Sequence, residues 1–230
     1  IARIVREFVS RGDRVLLAAF TNRAVDNALD ALRDQDYEDF VRIGTDTGVR
    51  ADMQSFRLDK QGEPGAQAET LGSASVVGAT TATCGSRMMR EQTFDVAVVD
   101  EASQLTEPDT LAAINRADRF VLVGDHEQLP PVVRDADMDR SLFARLVDEH
   151  PEAATMLDRQ YRMAQRIQAF PSREFYDGAL RPATPEVAGR HVDDIAAPSA
   201  LSSSLRNPVS VHPVRGTDAA HTDTEEAARA

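Results

Sequence analysis

Long apolar runs and paired cysteines are both absent from this sequence of 230 residues. No run approaches the roughly 18 apolar residues that a membrane-spanning helix needs, and the first residues lack the layout of a signal peptide, so we expect a soluble, cytoplasmic protein. Cys84 is the only cysteine, which excludes an internal disulfide and a cysteine-rich metal site. With 42% hydrophobic residues, the chain can bury one good core and part of another.

Lysine and net positive charge are also scarce. Lys60 is the only lysine among 26 basic residues, and 38 acidic residues bring the formal net charge to −12. This balance is unlike that of proteins that bind nucleic acid mainly through phosphate charges. The composition, rich in aspartate and poor in lysine, predicts a halophilic source, with GC-rich codon usage as the alternative. High salt weakens phosphate contacts, so nucleic-acid binding would depend on hydrogen bonds, stacking and shape.

The stretch FDVAVVDEASQLTEPDTLAAINRADRFVLVGDHEQLPPVV, residues 94–133, organises the chain. Its apolar runs Val96–Val99 and Phe120–Val123 predict two fully buried parallel strands, joined by a crossover helix over Pro108–Ala117. Polar residues follow each run, and ligands collect at the carboxyl ends of such strands, so Asp100-Glu101 and Asp125–Gln128 should line one crevice. A strand followed by Asp-Glu is typical of phosphate-hydrolysing enzymes, although a pair that merely caps the strand is the alternative.

Periodicity and capping residues predict further elements on both sides of this stretch. Residues 34–73 are polar, rich in glycine and without periodicity, which predicts a surface excursion. A helix should begin within Thr222–Ala230, with Thr222 or Thr224 as its cap and the acidic pair Glu225-Glu226 in its first turn. The other predicted elements are a helix from Ile1 to Gly12, a strand over Val15–Phe20, a helix capped by Thr21 and Asn22, a strand over Ser75–Ala79 and a helix from Ser141.

VVDEASQ and LVGDHEQLPPVV resemble motifs II and III of superfamily 1 helicases, group 1B. The branch they resemble contains the RNA helicase of nonsense-mediated decay and the nuclease-helicase of Okazaki-fragment processing. TNRAVDNAL is similar to motif Ia, VVGATTATCGS to a segment that contacts nucleic acid, and LDRQYRM with FPSREFYDGAL to motif IV and its sequel. These motifs follow the order of the family across residues 15–180.

The resemblance implies an α/β fold of the RecA-like P-loop NTPase type, with a parallel sheet and helices on both faces. Residues 1–155 would form most of a first RecA-like domain, with a surface insert at about 34–73, and residues 156–230 would open a second one. The phosphate-binding pattern G-x-x-x-x-G-K-[ST] is absent, since Gln61 follows the only lysine, and motifs V and VI are absent as well. We therefore interpret the sequence as an internal fragment of a helicase.

The same resemblance implies a site for ATP and Mg²⁺ between the two domains. Asp100 would hold Mg²⁺ through water, Glu101 would polarise the attacking water, and Gln128 would sense the γ-phosphate. Gln104 and Asp125 would complete the nucleotide contacts. From the second domain, Arg162 would bind the γ-phosphate and Tyr161 would stack on the adenine.

Single-stranded DNA or RNA is the implied partner, and the residues favour neither. Thr21, Asn22, Thr80, Thr81 and Pro130 would contact its backbone. Helix capping explains Thr21 and Asn22 equally well, and hydroxyl clusters such as Thr80 and Thr81 also form turns.

The implied activity is ATP-driven movement along one strand, coupled to duplex unwinding. Because the phosphate cradle is missing, we expect the 230 residues alone to hydrolyse ATP negligibly and to need the missing segments or a partner chain. The alternative is a non-hydrolysing RecA-like module that binds nucleic acid or a partner.

Overall fold

The structure is a computed structural model that describes residues 1–58, 64–133, 139–191 and 194. The chain divides into unit 1, Ile1–Ala154, and unit 2, Thr155–Ala230. The helix predicted within Thr222–Ala230 lies outside the described residues. The assignment of residues 1–155 and 156–230 to two RecA-like domains stays a prediction.

A five-stranded parallel sheet forms the centre of unit 1, and its strands are buried except at one edge. The sheet order is β2-β3-β1-β4-β5. The strands are β1 (Val15–Ala19), β2 (Phe40–Ile43), β3 (Val76–Thr80), β4 (Phe94–Asp100) and β5 (Ala117–Leu122).

Helices cover both faces of this sheet, which confirms the predicted fold class. One face packs against α1 and α2 through side chains such as Val5, Leu29 and Leu32, and the other packs against the remaining helices through Leu71, Met89 and Ile114. The helices of unit 1 are α1 (Ala2–Ser10), α2 (Asn22–Arg33), α3 (Pro64–Ser73), α4 (Thr81–Cys84), α5 (Arg87–Arg90), α6 (Glu107–Ile114) and α7 (Leu142–Glu149), and 3₁₀ turns span Ala51–Phe56, Ala102–Gln104 and Pro151–Ala153.

The prediction of a surface excursion over residues 34–73 is wrong at β2. All four residues of Phe40–Ile43 are buried, and they pair with β3 in parallel register. Arg42 interrupts the apolar run, which hides the strand in the sequence. Its guanidinium is fully buried and pairs with Asp26 on α2, so the interruption is compatible with a core strand.

The prediction of a fully buried second strand in the organising stretch is also wrong. β5 is an edge strand that pairs only with β4 among the described residues, and Phe120 is 48% exposed. The strand begins at Ala117, three residues before the predicted start. The crossover helix α6 accordingly ends at Ile114, and the turn at Asn115 and Arg116 leads into the strand.

The described part of unit 2 is small. It contains α8 (Gln165–Phe175), α9 (Pro185–Ala188) and a two-stranded parallel sheet of β6 (Arg159–Gln160) and β7 (Arg181–Pro182). Across the described part of the chain, no helix combines the length and apolarity required to cross a membrane.

Candidate functional site

The carboxyl ends of four parallel strands place most of the predicted site residues at one edge of the sheet. In the β1–β3 and β1–β4 pairs, Ala19 lies opposite Thr80 and Asp100 respectively. Val99 of β4 lies opposite Leu122 of β5. The loops after β1, β3, β4 and β5 therefore start from this edge, as the sequence predicts for a ligand crevice.

The loop after β4 turns sharply at its two acidic residues. Glu101 has a left-handed backbone, with φ 53° and ψ 35°, and its N–H donates to Asp100 Oδ1 at 2.9 Å. The amide of Gln104 donates to Glu101 Oε2 at 3.1 Å. A non-glycine residue in this conformation is strained, by of order 1–3 kcal/mol, and such strain is often found at functional sites.

The loop after β5 is tied to the loop after β4. Ala102 N–H donates to the carbonyl of Val123 at 2.8 Å, and Asp125 N–H donates to Ser103 Oγ at 3.1 Å. Gly124 sits so close that an added Cβ would lie 2.8 Å from the backbone nitrogen of Ser103. Ser103 and Gly124 are thus site residues that the sequence interpretation missed, although both lie within the recognised motifs.

Asp125 organises the segment that carries Gln128. Its Oδ1 accepts from Glu127 N–H at 3.1 Å, and its Oδ2 accepts from the Gln128 amide at 2.6 Å. The Gln128 side chain is exposed at the surface of unit 1. Among the predicted site residues, Asp100 therefore ends β4, and Glu101, Gln104, Asp125 and Gln128 lie on two linked loops.

Both acidic residues after β4 have perturbed proton affinities. Burial is the main cause that raises the pKa of the Asp100 carboxyl, partly offset by the hydrogen bond from Glu101 N–H. The pKa of Glu101 is also raised, first by burial and then by repulsion from Asp100 and Asp125. A bound cation would relieve this repulsion.

The oxygen donors of this site suit Mg²⁺. Within residues 1–58, 64–133, 139–191 and 194, no group of three or more His, Cys, Asp and Glu side chains could hold a metal ion. Mg²⁺ usually needs only one or two carboxylates, with water and substrate phosphates as its other ligands, so the arrangement fits the ion. Asp100 is the carboxylate that we expect to hold it.

The side chains predicted to contact nucleic acid differ in how accessible they are. Thr21 caps α2 by accepting from Ala24 N–H at 3.1 Å, and Pro130 is exposed. Asn22 Oδ1 accepts from Arg42 Nη2 at 2.8 Å, which ties that oxygen to the core. Thr80 is 8% and Thr81 is 1% exposed, so neither hydroxyl is accessible to a nucleic-acid strand in this structure.

A small cleft connects the loop after β1 with the loop after β4. It has a volume of about 240 Å³ and is lined by Phe20, Arg23, Glu101 and Gln104 together with residues of α2. Phe20 is 54% exposed. The sequence interpretation ended the first strand at Phe20 and assigned no role to Arg23, because neither residue stands out in a single sequence.

Tyr161 and Arg162 lie on a tight turn of unit 2. Gln160 closes the turn, since its Oε1 accepts from the N–H groups of Arg162 at 2.8 Å and Met163 at 2.7 Å, and its amide donates to the Met163 carbonyl at 2.8 Å. Tyr161 is 67% exposed and Arg162 is exposed as well. Both side chains are therefore presented at the surface of the unit.

The chain matches two family models, each described as an AAA domain, over residues 60–135 and 138–229. It is 36% identical over 191 residues to the DNA replication ATP-dependent helicase/nuclease JHS1 of Arabidopsis thaliana, covering 80% of this chain and 14% of that protein. It is also 36% identical over 199 residues to the DNA replication ATP-dependent helicase/nuclease DNA2 of Xenopus laevis, covering 82% of this chain and 19% of that protein.

Among solved structures, Arterivirus nonstructural protein 10 (helicase) in complex with DNA superimposes with a TM-score of 0.52 at 17% sequence identity. The match covers 79% of this chain and 37% of the viral chain, and at this identity it shows the fold alone. The architecture around the two linked loops is thus a RecA-like helicase fold, as predicted.

This chain belongs to the superfamily 1 helicases, in the branch that contains the DNA replication helicase/nucleases. The family predicted from the motifs is confirmed. The chain spans less than a fifth of the length of these curated relatives.

Proposed function

We propose that this chain supplies motifs Ia, II, III and IV of an ATP-dependent helicase that moves along single-stranded DNA. The observation that carries the proposal is the linkage of the loops after β4 and β5, where Asp100-Glu101 and Asp125–Gln128 meet at adjacent strand ends. A pure binding module has no need of two repelling carboxylates at such a position, so the non-hydrolysing alternative is not favoured.

In this proposal Asp100 holds Mg²⁺ through water, and Glu101 orients the water that attacks the γ-phosphate. When bound, Mg²⁺ neutralises charge on the phosphate oxygens. The raised pKa of Glu101 suits it to accept a proton from that water, because general bases work best when their pKa lies nearer the operating pH. The hydrogen bond from Gln104 keeps the Glu101 carboxylate in place.

Gln128 senses the γ-phosphate, and its position depends on Asp125, which binds its amide. Movement of Asp125 would therefore shift Gln128 and, through Ser103, the loop that carries Glu101. Arg162 stabilises the charge that develops on the phosphate, and Tyr161 stacks on the adenine; their exposure on the closed turn supports both roles.

DNA is the proposed track because the relatives named above are DNA replication helicases, whereas no observation favours RNA. Thr21 and Pro130, at the ends of separate strands, are the accessible members of the predicted contact set. Phe20 and Arg23 extend this surface with an aromatic ring and a guanidinium beside Glu101. Stacking and hydrogen bonding of this kind suit a single strand.

The test is Glu101→Gln in the chain expressed with any coding sequence that flanks it in the source genome. Loss of the base should reduce DNA-stimulated ATP hydrolysis by about 100- to 10,000-fold, while binding of a fluorescent ATP analogue stays unchanged. Glu69→Gln on exposed α3 is the matched control and should hydrolyse ATP at the parent rate. Normal turnover by Glu101→Gln would remove Glu101 from this role.

A further inference from the structure

A groove lies within unit 2, and none of the residues proposed above to bind nucleotide or nucleic acid lines it. Its volume is about 660 Å³. Strands β6 and β7 and helices α8 and α9 form its walls, and Arg159, Arg173 and Arg181 line it together with Gln165, Gln168 and Ser172.

The charge of this groove is opposite to that of the whole chain. Three arginines line it, and no Asp or Glu occurs among its described lining residues. Over the whole chain acidic residues prevail, with 38 against 26 basic residues and a net charge of −12. A groove that concentrates positive charge on such a background is complementary to an anion.

Two of the arginines are neighbours across the small sheet. Arg159 and Arg181 lie directly opposite each other in the parallel register of β6 and β7. Neighbouring strands are about 4.8 Å apart, and like charges at opposed positions destabilise a sheet. Phosphates bound to the two guanidinium groups would neutralise this repulsion.

The nearby carboxylates compensate these arginines only weakly. Arg159 Nε lies 3.6 Å from Asp158 Oδ1, and Arg173 Nε lies 2.7 Å from Glu174 Oε1. All four side chains are about half exposed or more, and such surface pairs contribute little to stability. Within residues 155–191, Arg181 makes no ion pair. A phosphate can therefore displace these contacts at small cost.

Hydrogen bonds between α8 and Leu180 hold the groove in shape. The buried amide of Gln168 and the buried hydroxyl of Ser172 both donate to the carbonyl of Leu180, at 2.5 Å and 2.8 Å. These bonds tie α8 to the residue that precedes β7. Because Leu180 is followed by Arg181, they also fix where that arginine emerges, so the site is preorganised for a ligand.

From these observations we propose that the groove of unit 2 binds consecutive phosphates of single-stranded DNA through Arg159, Arg181 and Arg173. The occupant rests on the proposed helicase function. A DNA strand fits better than a free nucleotide because the arginines come from β6, β7 and α8 rather than from a single element, and planar guanidinium forks bind phosphate oxygens in pairs. Such a contact adds affinity without base specificity.

The test uses fluorescence anisotropy of the 230-residue chain with a labelled oligo(dT) of about 12 nucleotides, a length within the usual range of single-strand sites. The affinity is measured at several salt concentrations. Each phosphate contact contributes about 0.7 to the slope of log K against log salt. The variant R159Q/R181Q should therefore lower the slope by about 1.4 and bind roughly tenfold more weakly at low salt.

Arg166→Gln is the matched control, because Arg166 is an exposed arginine of α8 outside the groove. It should bind like the parent. Removing the opposed charges should leave the melting temperature of R159Q/R181Q unchanged or higher. If that variant does not fold, Arg173→Gln leaves β6 and β7 intact and should lower the slope by about 0.7.

Equal binding by the parent and the groove variants would overturn the proposal and leave the helicase function untouched, since the Glu101→Gln experiment tests that function separately. Absence of strand binding by the parent would also overturn it. Inorganic tripolyphosphate is the competitor. Unlabelled oligo(dT) is compared with it at equal phosphate concentration. If tripolyphosphate displaces the labelled oligo(dT) equally well, the groove is a general anion site, and the assignment to a DNA strand is overturned.

Discussion

Charged side chains are arranged in opposite ways on the two sides of the sheet edge that carries the predicted site. On the side of β1 and β2, the fully buried Arg42 donates to Asp26 at 2.7 Å and to Asn22 at 2.8 Å, and the second oxygen of Asp26 accepts from Arg50 N–H at 2.9 Å. On the side of β4 and β5, like charges lie close together: burial raises the pKa of Asp100, and burial together with repulsion from Asp100 and Asp125 raises the pKa of Glu101.

We call the side of β1 and β2, where the charges are paired, the rigid half. The side of β4 and β5, which carries the proposed catalytic residues, is the chemical half. Paired and hydrogen-bonded charges in the interior fix the start of α2, and with it the exposed Thr21 and Phe20. Carboxylates of like charge that lie close together destabilise the fold until a cation or a proton neutralises them. Three substitutions test this contrast.

The largest expected effect is on the rigid half. Asp26→Asn leaves the guanidinium of Arg42 buried without its counter-ion, which should lower the free energy of unfolding by about 3–5 kcal/mol. Urea denaturation measures this loss. Asp30→Asn is the control on the same helix, because Asp30 forms partly exposed pairs with Arg33 and Arg50 and should cost about 1 kcal/mol or less. Similar losses for the two variants would contradict the structural role of Asp26.

A smaller effect is expected at the contact that links the two loops of the chemical half. Gly124→Ala places a Cβ 2.8 Å from the backbone nitrogen of Ser103, so the β5 loop has to shift away from the β4 loop. We expect a loss of about 1–3 kcal/mol in urea denaturation. Gly72→Ala is the control, since an added Cβ in α3 meets nothing within 4 Å and should stabilise the helix by about 0.5–1 kcal/mol. Equal effects of the two changes would show that the contact at Gly124 is unimportant.

The chemical half was largely predictable from the sequence because its residues are local to two motifs. Asp100 ends a mostly apolar strand, Glu101 follows it, and the next strand ends shortly before Asp125, so their meeting at one edge follows from parallel topology. The left-handed backbone of Glu101 was not predictable, since only the packing of Ala102 and Ser103 against the next loop requires it.

The rigid half was missed because its signal is non-local. Arg42 reads as a surface residue within Phe40–Ile43, and only the position of Asp26 on another element makes its burial favourable. The burial of Thr80 and Thr81 was not predictable for a similar reason, since the sequence shows a hydroxyl cluster but not how closely the rest of the fold surrounds it; their contact with nucleic acid stays a prediction. The edge position of β5 likewise depends on sheet order, which a strand of apolar residues does not reveal.

The third substitution should change stability least, and in the opposite direction to Asp26→Asn. Asp100→Asn should raise the melting temperature at neutral pH, because it removes a half-buried charge that repels Glu101 while its side-chain oxygen can still accept from Glu101 N–H. Asp118→Asn, at an exposed position of β5, is the control and should leave the melting temperature nearly unchanged. A melting temperature of Asp100→Asn at or below that of the parent would show that the carboxylate does not strain the fold.

The pH dependence of the stability difference between Asp100→Asn and the parent shows whether charge is the cause. The folded-state pKa of Asp100 lies above its unfolded value, so between the two values the folded state binds more protons and its stability falls as the pH rises. The loss of stability caused by the Asp100 charge is absent below the pKa of the unfolded state, near pH 4, and is complete above the pKa of the folded state. The advantage of Asp100→Asn should therefore vanish in acid and grow toward neutral pH, whereas an advantage that is constant with pH would have to come from packing rather than from charge.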